Sequence, residues 1–444
     1  MRATVAERVE RGRAARKLVP RSAHGEWSPD ASRPDPVAAI AAQDQGRLDF
    51  LVPVRHERMA VSPFAFYRAT AALMAADLAV GPRTPVTTQL CGDAHLGNFG
   101  AFASPERDLL FDLNDFDETL PGPFEWDLKR LAASVVLAAR HAGVTAERCR
   151  ELTHYAVASY QRAIAQLAAK GNLDVWYERV SVRAIGELIT EEDRRARLAR
   201  EERKARRRNS LRSFAKLAET VDGQVRIRSD PPLLIPVREL QELDPGELWR
   251  DMVEVFSRYR DSVSEELKVL LDRYELVDVA LKVVGVGSVG TRCFVALLIG
   301  RDERDPLLLQ VKEAGPSALE PALGPSDYTN AARRVVEGQR LMQAFGDIFL
   351  GWAEGMRAGR AYYWRQLKDM KWSVPLDEVG EPSLARLARV CGGTLARAHA
   401  RAGDPIEISA YIGKSDTFAR AITRFGELYA EQAERDYEGF REGI

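Results

Sequence analysis

The chain changes from helix-type to strand-type spacing near residue 277. Upstream stretches such as WDLKRLAASVVLAARHAG place apolar residues at every third or fourth position, which is the spacing of a helix with one buried face. From Val277 to Ala314, the segments VALKVV, RCFVALLI and PLLLQVK are rich in β-branched and apolar residues and are separated by glycine or charged turns. The sequence therefore predicts an α+β protein with an antiparallel, hairpin-type sheet and a separate helical part.

The segments after Ala314 extend this division. TNAARRVVEGQRLMQAF has helical spacing, GWAEG and AYYWRQL are typical of two further strands, and amphipathic stretches beginning at Ser383 and Phe418 predict closing helices. We divide the chain into a basic N-terminal extension, the catalytic-loop part of a helical large lobe, a small β-rich lobe and C-terminal helices that complete the large lobe: residues 1–50, 51–275, 276–372 and 373–444.

The composition excludes several classes of protein. With 444 residues, of which 45% are hydrophobic, the chain can bury a sizeable core in two or three domains. The 64 Lys and Arg residues balance the 65 Asp and Glu residues, so we expect neither nucleic acid nor a membrane as partner. Four separated cysteines argue against a disulfide framework or a zinc site. The N-terminal stretch lacks the apolar core of a signal peptide, and we expect a cytoplasmic protein.

Residues 191–208, EEDRRARLAREERKARRR, interleave basic and acidic side chains with almost no apolar residue. This pattern predicts a solvated helix whose charges pair with one another. A patch that binds phosphate or RNA is the alternative, and the interleaving of the two signs favours the ion-paired helix.

The densest group of polar residues lies in QLCGDAHLGNFG and the following LLFDLNDFDETLPGPFEWDLKRLA. Asp93 and Asn98 are five residues apart across a glycine-containing loop, and Asp115 follows Asn98 by seventeen residues, beyond a short predicted hairpin. A carboxylate and a carboxamide supply the oxygen ligands that Mg²⁺ prefers beside phosphate oxygens. We therefore expect Asp93 to accept a proton from an attacking hydroxyl while Asn98 and Asp115 hold Mg²⁺.

These segments resemble the catalytic and metal-binding loops of the aminoglycoside phosphotransferase and choline kinase group of protein-kinase-like enzymes. That group carries a His-Gly-Asp-x-His-x-x-Asn loop, followed by an Ile-Asp-Phe or Ile-Asp-Trp loop. Here Cys91 replaces the first His, while Gly92, Asp93, His95 and Asn98 keep the pattern. His95 is either catalytic or a buried imidazole that hydrogen-bonds the loop backbone.

The second loop contains three aspartates. Asp115 stands where the resemblance places the metal-binding carboxylate, because the downstream Gly122 and Asp127 match the end of the family pattern. Asp112 and Asp117 remain candidates for supporting carboxylates.

A kinase-like site also requires a glycine-rich hairpin over the nucleotide phosphates and a lysine that holds them. VVGVGSVGTRCFVALL has G-x-G-x-x-G spacing between two strand-like runs, and LLLQVKEA follows with a lysine in the phosphate-binding position. A dinucleotide-binding loop would instead open a helix. The residues expected to cradle and neutralise the phosphates are Gly285, Gly287, Ser288, Gly290 and Lys312. In the next predicted helix Glu337 is the expected partner of this lysine, with Glu313 and Glu320 as alternatives.

The motifs stand in reversed order relative to ordinary kinases, because the glycine loop and the lysine follow the catalytic loop. We infer a circular permutation, in which AYYWRQLKD is the last strand and hinge of the small lobe and LARVCGGTLARAHARAG is the helix that normally leads into the catalytic loop. The resemblance then implies that the backbone of Gln366, Leu367 and Lys368 binds adenine.

The sequence as a whole resembles the bacterial proteins of the domain of unknown function 2252 (DUF2252) family, through RMAVSPFAFYR, CGDAHLGNFG, FDLNDFDETLPGPFEWDLKRLA, VGVGSVGTR and YYWRQLKDMK. This resemblance covers nearly the entire chain and implies no reaction. In the first of these segments, Arg58 and Arg68 are candidates for contact with substrate or phosphate, or they are structural ion-pair partners.

The motifs together predict a two-lobed, circularly permuted, protein-kinase-like α+β fold that binds ATP and Mg²⁺ and transfers the γ-phosphoryl group to a hydroxyl. No long activation segment separates Asp115 from Asp127, which favours a small-molecule acceptor over a protein. One alternative is nucleotidyl transfer, in which ATP is held reversed and AMP moves. Another is a nucleotide-binding regulatory module, a pseudokinase, without turnover.

Two further interpretations compete with these. The aspartates and the asparagine could serve only as turn and helix caps, but the glycine loop and the lysine favour a site. GDAHLGN is also similar to a metallophosphatase motif, yet the six histidines lack the paired contexts that a two-metal hydrolase requires.

Overall fold

The computed structural model describes residues 3–187, 192–207, 210–240, 244–356, 359–367 and 370–443. It contains helices and antiparallel strands, as predicted. The helices are α1 (Val5–Leu18), α2 (Pro36–Asp44), α3 (Val52–Met59), α4 (Pro63–Tyr67), α5 (Ala71–Ala79), α6 (Glu125–His141), α7 (Ala146–Ala168), α8 (Asn172–Tyr177), α9 (Val182–Glu187), α10 (Glu192–Arg206), α11 (Ser210–Leu217), α12 (Pro245–Arg260), α13 (Glu265–Leu271), α14 (Glu320–Leu323), α15 (Ala331–Met342), α16 (Glu381–Ala402), α17 (Pro405–Ile412) and α18 (Thr417–Glu442). The strands are β1 (Thr87–Leu90), β2 (Phe99–Ala103), β3 (Leu109–Leu113), β4 (Leu120–Pro123), β5 (Ala218–Val221), β6 (Gln224–Ile227), β7 (Leu234–Pro236), β8 (Glu275–Lys282), β9 (Cys293–Ile299), β10 (Pro306–Ala314), β11 (Gly351–Glu354), β12 (Ala361–Gln366) and β13 (Trp372–Ser373).

The β-rich part forms a 6-stranded sheet in the order β11–β12–β10–β9–β8–β7. Every neighbouring pair in it is antiparallel, which confirms the predicted hairpin-type sheet. The glycine-rich segment joins β8 to β9 and leads into a strand rather than a helix. Lys312 on β10 lies opposite Tyr363 on β12, so these two side chains stand on the same face of the sheet.

The two faces of this sheet meet different neighbours. On one face, Leu281, Phe294 and Trp364 pack against Val255 and Leu267 of α12 and α13. Side chains alternate between faces along a strand, and the alternating apolar residues meet a second cluster. The first face is therefore covered by α12 and α13.

The second face is covered only in part. Val295 and Leu308 pack with Phe214 of α11 and with the β5–β6 hairpin. Further along β10, the same face carries Gln310 and Lys312, which meet polar groups instead. This uncovered end is turned toward the helical lobe.

The helical lobe is centred on α6, which is buried from Glu125 to Ala139. This helix packs against α7 and α18, and α16 packs along α7. The end of α16 reaches β1, because Thr88 Oγ1 donates a hydrogen bond to the carbonyl of His399 at 3.3 Å. β2, β3 and β13 form a small antiparallel sheet beside the first polar motif. None of the described helices is both long enough and apolar enough to cross a membrane.

The N-terminal segment contains two helices that lie against the helical lobe. His24 is fully buried, and its Nε2 lies 2.7 Å from the Tyr411 hydroxyl. Arg33 bridges Asp77 and Asp436, with N–O distances of 2.8 and 2.6 Å. The basic extension therefore packs against the helical lobe.

The charged segment at 191–208 contains α10, whose ends reach the limits of the described residues. In its last turns, Lys204 pairs with Glu201 and Arg206 with Glu202. These contacts agree with the predicted ion-paired helix.

We expect Gly392→Ala to destabilise the fold, because the added Cβ would lie 2.0 Å from the Ala156 carbonyl oxygen where α16 crosses α7. Overpacking of this kind costs about 1–3 kcal/mol in the free energy of unfolding. The matched control is Gly393→Ala, whose Cβ meets nothing within 4 Å and which removes a mid-helix glycine, so stability should stay equal or rise by about 0.5–1 kcal/mol. Urea denaturation measures both, and equal stabilities of the two variants would contradict the close helix crossing.

Candidate active site

The loop after β1 is held in place by one buried carboxylate. Asp127, on α6, accepts the N–H groups of Cys91 at 2.7 Å and Gly92 at 3.0 Å. Its Oδ2 also lies 3.2 Å from His399 Nε2 of α16. Gly92 has a φ of +85°, a conformation that glycine adopts without strain. Together these contacts fix the backbone on which Asp93 stands.

Asp93 points into a cluster of cationic groups. Arg130 Nε donates to Asp93 Oδ1 at 2.8 Å, and its guanidinium stacks 3.8 Å from the centre of the Tyr67 ring. Burial raises the pKa of Asp93, and the nearby Arg130 offsets part of this rise. Asp93 is thus a buried carboxylate held in one orientation, which is what a proton acceptor or a hydroxyl-orienting group requires.

The other two polar residues of this loop support its shape. Asn98 Nδ2 donates to the Asp93 carbonyl at 2.7 Å, which leaves Asn98 Oδ1 as the atom for a metal. His95 Nδ1 accepts the Gly97 N–H at 3.0 Å, and His95 Nε2 lies 3.6 Å from Asp93 Oδ2. Burial, Arg68 and Arg130 hold the pKa of His95 well below its usual value. His95 is therefore a buried imidazole that hydrogen-bonds the loop backbone, and a catalytic role for it stays a prediction.

Lys312 reaches across from the sheet to the loop that follows β3. Its Nζ is hydrogen-bonded to Asp117 and lies 3.6 Å from Asp115 Oδ1. The Tyr363 hydroxyl donates to the other Asp117 oxygen at 2.5 Å. Two sequence segments that were predicted to meet are thus in contact, and Asp117 is the closest carboxylate to the lysine.

The charges of this group depend on one another. Burial lowers the pKa of Lys312, but Asp115 and Asp117 outweigh it and hold that pKa well above its usual range. Burial and the repulsion of Asp117 raise the pKa of Asp115. Although burial raises the pKa of Asp117, Lys312 and the Tyr363 hydroxyl lower it overall. The lysine is therefore charged, and it neutralises two carboxylates that would otherwise repel each other.

The third aspartate of the segment has a structural role. Asp112 is buried, accepts the Ala344 N–H at 3.2 Å and pairs with Arg397 of α16. It joins the β2–β3 hairpin to the helical lobe and does not approach Lys312. Of the two aspartates, Asp117 is the one that contacts Lys312, and its support of a metal stays a prediction.

Glu337 does not have the position predicted for it. Its Oε1 lies 3.2 Å from Arg340 Nη1 on the same helix, while the carboxylates that contact Lys312 come from the loop after β3. Glu337 is partly exposed on α15, whereas its buried neighbour Arg334 turns toward that loop. Arg334 donates to the carbonyls of Asp117 and Thr119 at 2.8 and 2.7 Å. The helix is tied to the site by an arginine, and the expectation of a Glu337–Lys312 pair was wrong for this state.

The glycine-rich loop is fastened to the segment that precedes the catalytic loop. Arg58 Nη1 donates to the Gly285 carbonyl at 2.7 Å, and the Leu48 N–H donates to the Gly290 carbonyl at 2.8 Å. A Cβ at Gly287 would lie 3.2 Å from the Arg68 carbonyl. The loop therefore lies over the α3–α4 segment, and the structure gives Arg58 a backbone contact with the predicted phosphate loop.

Three members of the predicted phosphate loop shape its turns. Gly285 and Gly290 have φ values of +67° and +89°, and the Ser288 carbonyl accepts the Thr291 hydroxyl at 2.8 Å. These turns bring the loop back into β9.

The predicted adenine segment is bonded within the chain. The Gln366 N–H donates to Asp347 Oδ2 at 2.5 Å, and the Leu367 N–H donates to the Leu308 carbonyl at 2.9 Å. Lys368 lies outside the described residues. Both described N–H groups of the predicted adenine segment are therefore engaged, and α11 packs on the sheet beside Leu367.

The oxygen atoms of this site could hold a metal ion only together with ligands from a bound phosphate group or water. The described residues contain no cluster of three His, Cys, Asp or Glu side chains with metal-binding geometry. Asp115 and Asp117 nevertheless supply oxygen atoms beside the Lys312 ammonium, and Asn98 Oδ1 is a further oxygen on the loop that carries Asp93. Mg²⁺ is usually held by one or two carboxylates together with phosphate oxygens and waters. The residues present therefore fit Mg²⁺ as the companion of a phosphate ligand.

Sequence reasoning missed several residues of this site. Arg130 lies in DLKRLA, where charged residues inside an otherwise apolar helix were the available signal, and Asp127 of the same segment was used only as part of the family pattern. Arg365 donates to Gln310 Oε1 at 2.9 Å and to the Asn114 carbonyl at 3.0 Å. Arg365 and Tyr363 both lie on β12, which was predicted as the last strand of the small lobe without a role for either side chain. Only the register of β10 and β12 shows that both residues face the cleft.

These features define a mixed helix and antiparallel-sheet protein with a cluster of charged side chains where its sheet meets its helical lobe. A family model described as an uncharacterized protein conserved in bacteria, DUF2252, matches residues 47–443. The chain belongs to the DUF2252 family. Comparison with curated proteins and with solved structures finds no match for it.

The buried carboxyl of Glu118, next to Asp117, should make the stability of the protein depend on pH. Its Oε2 accepts the Ala318 N–H at 2.5 Å, and burial raises the pKa of Glu118 to about 7. In the unfolded chain the pKa is about 4.3, so between these values the folded state binds more protons, and stability should fall as pH rises through that window.

Glu118→Gln keeps a carbonyl acceptor for Ala318 and should remove this part of the decline. Urea denaturation at about pH 5 and about pH 8 should therefore show the variant gaining stability relative to the native protein toward about pH 8. A stability difference that stays constant across this window would contradict the raised pKa.

Proposed function

We propose that this protein is a kinase-like phosphotransferase that uses ATP and Mg²⁺ and moves the γ-phosphoryl group to a hydroxyl of a small-molecule acceptor. The observation that carries the proposal is the 3.6 Å approach of Lys312 Nζ to Asp115 Oδ1. A lysine on the central strand of an antiparallel sheet, beside a carboxylate that follows a hairpin, is the arrangement that phosphoryl transfer uses to hold a Mg²⁺-bound triphosphate.

The order of elements in the sheet supports the proposal. The glycine-rich hairpin β8–β9 is followed by β10 with Lys312, then by α15, and then by β11 and β12. This succession is the one implied by the resemblance to protein-kinase-like small lobes. In that comparison the sheet supplies the phosphate-binding loop and lysine, and the helical lobe supplies Asp93 and Asp115.

The proposed circular permutation is supported by a contact between distant segments. The end of α16 touches β1 through Thr88 and His399, which are 311 residues apart in the chain. A Cβ at Gly403 would lie 2.6 Å from Thr88 Oγ1. The helix expected to lead into the catalytic loop thus ends where the strand before that loop begins, as a cut between the two would require.

The roles of the residues follow from their contacts. Asp93, oriented by Arg130, would orient the acceptor hydroxyl and take its proton as the phosphoryl group is transferred. Asn98, Asp115 and Asp117 would hold Mg²⁺, which would neutralise charge on the transferring phosphoryl group. Lys312 would exchange part of its contact with Asp117 for phosphate oxygens, since one ammonium has three donors to share.

Nucleotidyl transfer is the second candidate, and the covered adenine segment favours it. The Gln366 and Leu367 N–H groups are bonded within the chain, and α11 covers the neighbouring sheet face. A nucleotide whose base points away from this segment would present its α-phosphate to the acceptor and transfer AMP. The two reactions differ in product: ADP with γ-label on the acceptor, or pyrophosphate with α-label on the acceptor.

Asp93→Asn should separate binding from chemistry. The variant keeps the side-chain shape and its contact with Arg130, but it cannot accept a proton, so turnover should fall by about 10²–10⁴-fold while nucleotide affinity changes little. ATP labelled at either the α- or the γ-phosphate measures turnover, and a fluorescent ATP analogue with Mg²⁺ measures affinity. Equal turnover by Asp93→Asn and the native protein would contradict the proposal and favour a regulatory module.

The lysine partner gives a second test. Asp117→Asn should weaken nucleotide binding in the presence of Mg²⁺ by about tenfold or more, because it removes a negative charge and one of the carboxylate oxygens that would hold the metal. Glu337→Gln should change affinity by less than about threefold. A larger effect of Glu337→Gln than of Asp117→Asn would contradict this assignment. It would mean that α15 rotates when nucleotide binds and brings Glu337 to Lys312, as the sequence predicted.

A further inference from the structure

A polar cavity of about 130 Å³ lies beside the metal loop, at the junction of the sheet and the helical lobe. A single water needs roughly 10–15 Å³ of such volume, so the cavity has room for a small organic molecule. Its polar lining consists of side chains from β2–β3, α15, the loop after α15 and the end of β12: Ser104, Arg107, Asn114, Gln339, Gln343, Asp347, Arg365, Gln366 and Lys371.

Hydrogen bonds fix the orientation of the two glutamines in this lining. Gln343 Nε2 must donate to the Leu113 carbonyl, at 2.6 Å, because a carbonyl can only accept. Gln343 Oε1 then accepts Gln339 Nε2 at 2.9 Å. This relay leaves Gln339 Oε1 as a buried acceptor, and among the described residues it has no donor. Gln339 is only 4% exposed, so the missing donor has to come from within the cavity.

Asn114 presents a second acceptor of the same kind. Its Oδ1 is buried and likewise has no donor among the described residues, while its carbonyl accepts Arg365 Nη1 at 3.0 Å. A buried acceptor that lacks a donor destabilises the folded state, because it has lost its hydrogen bonds to water. Two of them in one cavity indicate a ligand that carries N–H or O–H donors.

The charged side chains that line the cavity indicate that the ligand also carries an anionic group. Arg107, Arg365 and Lys371 supply positive charge against the single carboxylate of Asp347. Burial and the neighbouring Arg365 lower the pKa of Lys371 to about 7. An anionic ligand would return this lysine to its charged form and would offset the repulsion among the three cations.

The cavity is separate from the proposed transfer site. Asp93, Asp117 and Lys312 are not part of its described lining. It is connected to that site through Asn114, which precedes Asp115 in the chain, and through Arg365, which bonds Gln310 on the strand of Lys312. A molecule bound here would therefore act on the metal loop and on α15 without occupying the cleft.

We propose that this cavity is an effector site for a small carboxylate or phosphate that also carries hydroxyl or amino donors. The anionic group would lie at Arg365 and Lys371, and the donors would meet Gln339 Oε1 and Asn114 Oδ1. This proposal holds whether the protein transfers a phosphoryl group, AMP or nothing, because its tests measure binding of the effector to the purified full-length chain.

Isothermal titration calorimetry with L-glutamate and with glycerol 3-phosphate tests the site directly. We expect at least one of the two to bind with one-to-one stoichiometry at millimolar or lower concentration. Glycerol, which has the hydroxyl donors without the charge, should bind at least tenfold more weakly.

Three variants and one control assign the binding to the cavity. Lys371→Met removes the charge, Gln339→Leu removes the open acceptor, and each should weaken binding at least tenfold. Gly346→Leu adds a side chain in the lining where a Cβ meets nothing within 4 Å, and it should block binding while every polar group remains. Arg304→Gln, in the exposed β9–β10 turn, should bind like the native protein, and thermal melts confirm that each variant is folded.

Several results would overturn the proposal. One is that neither probe binds at ten millimolar, on the order of the weakest affinity with physiological meaning. Another is that binding is unchanged in both Lys371→Met and Gly346→Leu. A third is competitive displacement of the probe by a non-hydrolysable ATP analogue, which would make the cavity part of the nucleotide site. If the protein does not bind the ATP analogue but still binds the probe, the proposed transfer reaction is contradicted and the effector site is supported.

Discussion

The contact of Lys312 with Asp115 and Asp117 is the interaction on which the cleft depends. Asp115 and Asp117, which are 33% and 28% exposed, repel each other, and the buried Lys312 ammonium from the sheet offsets that repulsion. The contact therefore links the sheet to the loop after β3. In the proposed reaction, the same ammonium and carboxylates would bind the phosphates and the Mg²⁺ of the nucleotide.

The rest of the site is built outward from fixed backbone rather than from flexible side chains. Asp127 binds the loop before Asp93, and Arg130 fixes the carboxylate itself. On the other lobe, Arg334 ties α15 to the loop that carries Asp117. Each anchor is a buried charged group whose partners are mostly backbone atoms, so its geometry survives changes elsewhere in sequence. Such preorganisation is what electrostatic stabilisation of a reaction requires, since donors that are already aimed pay no reorganisation cost.

The sequence predicted the parts of this structure that follow from local spacing. Alternating apolar residues gave the antiparallel sheet, helical periodicity gave α15, α16 and α18, and motif spacing brought Lys312 to Asp115. It was wrong about Glu337, because periodicity places a residue on a helix but does not determine how that helix is rotated against a partner. It missed Arg130, Tyr363 and Arg365, whose roles arise from the register of distant strands and helices. The sequence also did not predict that α11 packs on the sheet, because a short amphipathic segment that contains Phe214 does not show which surface it will contact.

A complex with Mg²⁺ and a non-hydrolysable ATP analogue tests the central claim most directly. The account predicts density for the triphosphate between the glycine-rich loop and the Asp115 loop, with the metal on Asn98 and Asp115 and the Lys312 ammonium turned from Asp117 toward a phosphate oxygen. An analogue that stays unbound at millimolar concentration, or that binds while Lys312 and Asp117 keep their present contact and no phosphate enters the cleft, would contradict it.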